Sequence, residues 1–230
     1  MIDGAILLRL MAWLSPSFPI GGYTYSHGIE YAVEAGLIKD ADGLAVWIEG
    51  VLSFGAGRLD ADFFRAAWTA VDAGDGSALA DAVGWADALR GSAEAALESR
   101  SQGQAFLDTV RAVWPDPWLD AWAAELAEAT VRPAHAVAVA AAAARLGAPL
   151  RESLVVYLHA FAANLVSAGV RLIPLGQTDG QRTIARLEAA VIAAAAAALS
   201  RPWKDLGGAA VMADWTSMKH ETQYTRLFRS

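Results

Sequence analysis

Apolar residues recur at the spacing of an α-helix along almost the whole chain. A clear stripe follows Asp40 and Asp42, which are both suited to cap the start of a helix with a side-chain oxygen. Its members are Leu44, Trp47, Ile48, Val51 and Leu52. The strict alternation of apolar and polar residues that indicates a β-strand is absent. The pattern therefore predicts an all-α protein.

The longest uncharged run covers 18 residues, from Ser153 to Val170, which touches the lower length limit for a helix that crosses a membrane. Four polar side chains interrupt this run, and each would need a partner in lipid. They are Ser153, His159, Asn164 and Ser167. Apolar residues fall on both faces, with one stripe through Leu154, Leu158 and Leu165. We therefore expect a central helix that is covered by other helices, and no contact with a membrane.

Proline and glycine residues mark the boundaries between the predicted helices. They are Pro16, Pro19, Gly21, Gly22, Gly74, Gly76, Pro115, Pro117, Gly147, Pro149 and Pro202. These boundaries delimit about eight to eleven helices. No segment is long or polar enough to separate two cores, so the 230 residues are expected to form a single-domain bundle. We divide it into an all-helical domain, residues 1–213, and a C-terminal tail, residues 214–230.

The motif QTDGQR, which begins at Gln177, follows a proline and a glycine and is expected to start a helix. Thr178 and Gln181 have the T-x-x-Q form of a capping box, and Asp179 adds a favourable negative charge near the helix N-terminus. In a purely structural interpretation, Gln177 and Arg182 are solvated. The alternative is that this polar turn belongs to a surface that another protein recognises.

Composition narrows the classes of function. The net charge is −7 with only three lysines, and the pI is about 5.0, which argues against a nucleic-acid-binding surface. The chain has no cysteine, so thiol catalysis and thiolate metal sites are excluded, and a reducing cytoplasm fits. Asp3 and Arg9 lie in or beside the first apolar run, and no basic leader precedes it. We therefore expect no signal peptide and a cytoplasmic protein.

Motifs for nucleotide, serine and metal chemistry are missing. None of the three lysines directly follows a glycine, as a P-loop requires, and no serine stands in G-x-S-x-G. The histidines are His27, His135, His159 and His220, and no two are closer than 24 residues. His220 could open an H-E-x-x-H zinc motif, but Tyr224 occupies the position of its second histidine. We expect no cofactor, and no tight binding of GTP or nickel by the chain alone.

An enzyme remains the alternative hypothesis: a helical hydrolase or oxygenase with a carboxylate site. Its candidate residues are Asp60, Asp62, Glu94 and Glu98. Asp60 and Asp62 would lie on different sides of a helix. Glu94 and Glu98 would share a face, but they lack the Glu-x-x-His partner of diiron bundles.

The C-terminal tail differs in character from the alanine-rich body before it. From Asp214 onward the formal charge is +1, and since the whole chain carries −7, residues 1–213 carry −8. Apolar residues stand beside the basic ones, at Met218, Tyr224, Leu227 and Phe228. The alternatives are a frayed end and a segment that a second protein covers, and we favour the partner-binding tail. We also expect that removing residues 214–230 leaves the helical content and the melting temperature nearly unchanged.

The tail, TSMKHETQYTRLFRS at 216–230, resembles the C-terminal signature of the UreF family of urease accessory proteins. Two further blocks resemble that family in its order and at about its spacing. They are SPSFPIGGYTYSHGIEYAVEAG at 15–36 and NLVSAGVRLIPLGQTDGQR at 164–182. Weaker matches, ESRSQG at 98–103 and RPAHAV at 132–137, extend the resemblance over nearly the whole chain. The many tryptophans and the loop PDPW are features that we do not attribute to the family.

The resemblance implies a non-enzymatic scaffold in the maturation of the nickel enzyme urease. Proteins of this family join the UreD accessory protein, also called UreH, to the UreG GTPase and thereby to apo-urease, and nickel is then delivered in a GTP-dependent step. Similar proteins are homodimers, which agrees with nine tryptophans and a mean hydropathy of +0.31. The predicted partner-binding residues are Gln177, Gln181, Arg182, His220, Glu221, Tyr224, Arg226, Leu227, Phe228 and Arg229.

Overall fold

The fold is a bundle of α-helices, as the apolar spacing predicts. The computed structural model describes residues 2–230, and within them there are eleven α-helices and no strand. The helices are α1 (Gly4–Trp13), α2 (Ile29–Glu34), α3 (Ala41–Phe54), α4 (Ala56–Ala73), α5 (Gly76–Ala88), α6 (Ala93–Val113), α7 (Pro117–Glu128), α8 (His135–Arg145), α9 (Leu150–Leu172), α10 (Gln177–Ser200) and α11 (Val211–His220). The predicted all-α class and the predicted range of helix number are confirmed.

Short polar residues start several of these helices. The Asp40 carboxylate accepts a hydrogen bond from the Gly43 amide at 2.8 Å, so Asp40 is the N-cap of α3. Asp75 caps α5 and Ser92 caps α6 in the same way. Each cap satisfies a backbone N–H that has no partner within its helix. Of the two candidate caps that the sequence offers for α3, the structure uses Asp40.

The alanine-rich helix α8 lies inside the bundle. Every residue from Ala136 to Ala143 is buried, and α4 and α6 pack directly on this helix. Gly103 permits the close approach of α6, because a Cβ atom at this position would stand 2.0 Å from the carbonyl oxygen of Pro133. The contact brings two distant blocks, ESRSQG and RPAHAV, together in the core.

The helix predicted over the uncharged run, α9, is central. It packs against α3, α4, α8 and α10, and Leu154, Leu158 and Leu165 are fully buried. By length and composition alone, both α9 and α10 are long and apolar enough to cross a membrane. Half of the most apolar window is buried in α9, but only 28% in α10. The predicted central position of α9 among other helices is confirmed, but the helix is not covered on every side, because His159 and Ser167 are exposed.

One face of α10 remains exposed. In the alanine run near its C-terminus, Ala195 and Ala198 are buried, whereas Ala193 and Ala196 are exposed. The exposed side also carries Ile192, which is 53% exposed. The run therefore packs closely on one side only.

The N-terminal block and the C-terminal tail meet at α2 and α11, which pack against each other. Gly28, just before α2, makes this contact possible, because a Cβ atom there would stand 2.6 Å from the Ser217 nitrogen. Its φ of +77° also lies in the left-handed region that glycine adopts without strain. The proposed boundary between residues 213 and 214 falls inside α11, so the tail begins within a helix of the bundle.

Candidate partner-binding site

A single buried carboxylate, Glu30 in α2, holds the tail by its backbone. Its Oε1 atom accepts a hydrogen bond from the Leu227 amide at 2.6 Å, and its Oε2 atom accepts one from the Phe228 amide at 2.9 Å. Glu30 is 7% exposed. Hydrogen bonds to a charged acceptor are short and stronger than those between neutral groups. Glu30 therefore fixes the end of the tail against α2.

His220, the last residue of α11, lies between two carboxylates. Its Nε2 atom is 3.0 Å from Oε2 of Glu30, and its Nδ1 atom is 2.6 Å from Oε2 of Glu94. The His220 side chain is fully buried. Glu94 also accepts a hydrogen bond from Nη1 of Arg226 at 2.7 Å. We call Glu30, Glu94, His220 and Arg226 the tail cluster, and this cluster joins α2, α6 and the tail.

Further contacts continue to Ser230. The Ser26 amide donates a hydrogen bond to the main-chain oxygen of Ser230 at 2.7 Å, and the Ser230 hydroxyl donates one to Oε2 of Glu98 at 2.8 Å. The Phe228 ring is buried, and the Arg171 guanidinium lies 4.3 Å from the centroid of this ring, a cation–π contact. The inner face of the tail is therefore part of the folded bundle.

Two expectations about the tail need correction. His220 and Phe228 were predicted to bind a partner, but their side chains are buried against the chain itself. The tail was also expected to be removable without loss of stability. Its removal would take away the hydrogen bonds that Glu30 accepts from the Leu227 and Phe228 amides and the buried packing of the Phe228 ring, which is costly. These contacts argue against that expectation, because the tail completes the core at α2.

The outer face of the tail is exposed and partly apolar. Tyr224 is fully exposed and Leu227 is 66% exposed, and Arg226 and Arg229 are exposed beside them. We call Tyr224, Arg226, Leu227 and Arg229 the tail patch. Glu221 is exposed as well, but its Oε1 atom accepts a hydrogen bond from the amide of the first residue of α6 at 2.8 Å. Exposed apolar groups with basic neighbours are typical of protein interaction surfaces.

The turn at QTDGQR starts α10, as predicted, but its cap differs from the prediction. The N-cap is Gly176, and the Gly176 amide donates a hydrogen bond to Oδ2 of Asp179 at 3.3 Å. Thr178 is exposed and lies inside the helix. The predicted box from Thr178 to Gln181 is therefore wrong by two residues: the helix begins earlier, and Asp179 supplies the reciprocal half of the cap.

The predicted binding residues of this turn face solvent. Gln177, Gln181 and Arg182 are all exposed. Arg182 Nη1 donates a hydrogen bond to Oδ1 of Asp179 at 2.8 Å, and the arginine side chain is 75% exposed. Among residues 2–230, no hydrogen bond or ion pair joins this turn to the tail. The structure therefore presents the turn and the tail patch as two separate candidates.

A polar cavity of about 320 Å³ lies beside α11 and reaches into the bundle. Most of its charged groups are paired with one another, whereas Asp214 makes no ion pair with any described residue and burial raises its pKa. The Arg90 guanidinium and the Tyr157 hydroxyl both donate to the Asp60 carboxylate at 2.8 Å, and His27 Nε2 lies 2.9 Å from Oε1 of Glu98. Buried charges are stable in a fold when they are paired in this way.

The carboxylates of the enzyme hypothesis all have structural partners. Asp62 pairs with Arg201 at 2.6 Å on the other side of α4 from Asp60, and Glu94 and Glu98 hold the tail. Within residues 2–230, no group of three or more His, Cys, Asp or Glu side chains is arranged to bind a metal ion. In the structure, these four carboxylates pair with cations or bind the tail.

Two histidines that line the cavity have pKa values shifted in opposite directions. Burial would lower the pKa of His27, but the charge of Glu98 and its hydrogen bond outweigh this effect and raise that pKa above 6.5. Burial lowers the pKa of His135 to about 4, and the charges of Asp60 and Glu98 offset only part of the effect. His135 Nε2 is buried without a hydrogen-bond partner in the described part of the chain.

We expect stability to fall as the pH drops from 6.5 to about 4, because of His135. In this window the unfolded chain binds a proton at this histidine and the folded chain does not. The free energy of unfolding should therefore decrease as pH falls, by roughly 3 kcal/mol in total. His135→Phe keeps an aromatic ring against Phe106 and should remove this loss. Urea unfolding at several pH values across the window measures it.

His27→Gln is the matched control for this experiment. The raised pKa of His27 means that its contribution is present below pH 6.5 and is lost as pH rises through its folded value. His27→Gln should therefore leave the acid loss intact. An acid loss of full size in His135→Phe would contradict the assignment.

Comparison with known proteins identifies close relatives. The UreF family model matches residues 38–188. A protein of Bradyrhizobium diazoefficiens named urease accessory protein UreF is 51% identical over 228 residues, which cover 99% of this chain and 93% of that protein. A protein of the same name from Magnetococcus marinus is 48% identical over the full length of both chains. A third, from Granulibacter bethesdensis, is 49% identical over 98% of this chain and 94% of that protein.

Proposed function

The chain belongs to the UreF family of urease accessory proteins, and on that premise we propose that it is a non-enzymatic scaffold in the maturation of urease. In this role it joins the UreD or UreH accessory protein to the UreG GTPase, and through them contacts apo-urease. Nickel insertion then follows in a GTP-dependent step. The chain itself supplies binding surfaces in the cytoplasm, where it contacts neither nucleic acid nor a membrane.

The observation that carries this proposal is the two-sided tail. Its inner face is bound by Glu30, Glu94 and Glu98, so the segment is ordered before any partner arrives. Its outer face presents Tyr224 and Leu227 to solvent. A pre-ordered binding surface loses less conformational entropy on association than a disordered one. This arrangement supports a binding role for the tail.

Pairing of carboxylates supports a scaffold over an enzyme. Asp60 pairs with Arg90 and Asp62 pairs with Arg201, which is the arrangement expected of carboxylates that stabilise a fold. Most charged groups that line the polar cavity likewise bind one another. These contacts give the candidate carboxylates structural roles and favour the scaffold.

We also propose that the chain forms a homodimer. The exposed face of α10 supports this, because Ala189, Ile192, Ala193 and Ala196 lie on one stripe and are open to solvent. Small and apolar residues on one helix face allow a second helix to approach closely. A homodimeric scaffold would hold two copies of the GTPase in one complex.

The turn at Gln177–Arg182 is proposed as a second contact, with the GTPase. We expect Arg182→Ala to leave the melting temperature unchanged, because its ion pair with Asp179 is highly exposed and exposed pairs contribute little to stability. The same change should weaken binding to the GTPase by about tenfold, since an exposed guanidinium can donate several hydrogen bonds to a partner. Calorimetric titration and thermal unfolding measure the two effects.

Two further variants serve as controls for Arg182. Arg151→Ala removes an exposed arginine at the start of α9 and should change neither quantity. Asp179→Ala removes the cap of α10 and should cost about 1 kcal/mol of stability, with binding preserved once the chain is folded. Normal GTPase binding by Arg182→Ala would remove the turn from the proposed interface.

A further inference from the structure

A groove of about 510 Å³ lies between the C-terminal end of α4, α5 and α7, apart from the tail, the turn and the polar cavity. Its α5 side is formed by Leu79 and Val83, and its α7 side by Trp118, Trp122 and Leu126. The rings of Trp118 and Trp122 stack with their centroids 5.8 Å apart. Because α5 and α7 scarcely contact each other, the space between these apolar faces remains open.

The helices around this groove carry the excess negative charge of the chain. Segments 66–89 and 112–131 contain eight acidic residues and no lysine or arginine. The other 17 acidic residues of the chain are balanced by its 18 basic ones. These two segments, which include all of α5 and α7, therefore carry a charge of −8, and the rest of the chain carries +1.

Most of these acidic residues have no cation beside them. Three of the eight pair with arginines of α6 and α8, namely Asp87, Asp116 and Asp120. Among residues 2–230, the other five make no ion pair. They are Asp72, Asp75, Asp81, Glu125 and Glu128. Asp75 and Glu125 line the groove itself, so its apolar floor has an acidic rim that the chain does not neutralise.

We propose that this groove binds a basic amphipathic helix of a partner protein. The apolar face of such a helix would enter the groove and pack on Trp118, which is half-buried above the buried Trp122, and its lysine or arginine residues would face the acidic rim. The groove side of α5 extends from Gly76 to Gly84, about 12 Å at the rise of an α-helix, which matches two to three turns of an apolar stripe. Nucleic acids and anionic membranes are repelled by the same rim.

The probe for this site is a synthetic peptide of about 16 residues, made of leucine and lysine with the leucines on one helical face. We expect it to bind the full chain with micromolar affinity that weakens as salt is added. A peptide of the same composition with the leucines scattered around the helix should bind far more weakly. So should the amphipathic peptide with glutamate in place of lysine.

Substitution of Gly84 blocks the groove without disturbing the fold. Gly84 lines the groove and is exposed, and a Cβ atom added at this position would meet no other atom within 4 Å. Gly84→Phe therefore places a ring in the open space. A Cβ atom at Gly50 in α3 would also have free space around it, and Gly50→Phe is the matched control. Gly84→Phe should reduce peptide affinity by about tenfold or more, and Gly50→Phe should not change it.

Charge reversal tests the rim. Glu125→Lys should weaken binding of the basic peptide and reduce its salt dependence, while the melting temperature stays the same because Glu125 is exposed. Equal affinity in the parent chain, Gly84→Phe and Glu125→Lys would overturn the proposal. Equal affinity of the amphipathic and the scattered-leucine peptides would also overturn it. A third contradicting result is that Gly84→Phe weakens binding of a small apolar fragment such as indole but leaves the affinity for the amphipathic peptide unchanged. None of these results depends on a role in urease maturation.

Discussion

Removal of residues 221–230 is expected to destabilise the folded chain by at least about 4 kcal/mol, although this segment contains no regular secondary structure. Loss of the buried Phe228 ring alone costs about 3–5 kcal/mol in typical cores. The Glu30 carboxylate would also lose the hydrogen bonds from the Leu227 and Phe228 amides, and hydrogen bonds to a charged acceptor contribute more to stability than those between neutral groups. For a chain of this length, the melting temperature should fall by roughly 10 °C.

Single substitutions separate the causes of this loss. Glu30→Gln keeps the shape of the side chain but replaces one of its two acceptor oxygens with an amide nitrogen, which cannot accept a hydrogen bond. Either a backbone N–H group or His220 then loses its acceptor, so this variant should also be destabilised. Glu221→Ala, on the exposed side of the same segment, should cost no more than about 1 kcal/mol, the value of a helix cap. A truncated chain that melts within about 2 °C of the parent, a shift worth less than roughly 1 kcal/mol, would contradict the structural role of the tail.

Loss of the tail patch is expected to abolish assembly with the accessory partners while the fold survives. Tyr224→Ser combined with Leu227→Ser removes two exposed apolar side chains and leaves the backbone contacts to Glu30 in place. Anchors at the centre of an interface contribute about 2 kcal/mol or more each, so affinity should fall by several hundredfold or more. Co-purification with the UreD or UreH protein and with the GTPase measures the effect.

A matched surface change distinguishes recognition from general solubility. Val113→Ser, at the end of α6, removes an apolar side chain that is 55% exposed and lies outside the tail. It should leave both the melting temperature and the yield of complex unchanged. If the double tail variant and Val113→Ser both give the parental yield of complex, the tail patch does not bind a partner.

Much of the fold follows from the spacing of apolar residues. The stripes around Ile48 and Leu158 predict helices that the structure contains, and both residues are fully buried. The cap at Asp40 can also be predicted, because an aspartate before an apolar-periodic segment has a local geometric role. These features depend only on residues that are close in sequence, so each can be predicted from a single segment.

The docking of the tail could not be predicted in this way. Glu30 and His220 are 190 residues apart in the sequence, and nothing in either local pattern indicates that they touch. In its local pattern, Glu30 is an ordinary polar residue of a short helix. The local pattern also misplaces the cap of α10. Thr178 and Gln181 match the capping-box motif, but the helix begins earlier, with Gly176 as its N-cap.

If this chain assembles the urease maturation complex without catalysing a step itself, activation of urease should depend on its presence. The most direct test is reconstitution of apo-urease activation from purified UreD or UreH protein, UreG GTPase, nickel and GTP, with and without this chain. We expect urease activity to appear only when the chain is present, and the chain to co-elute with both accessory proteins. Full activation in its absence, or no complex with either partner, would contradict it.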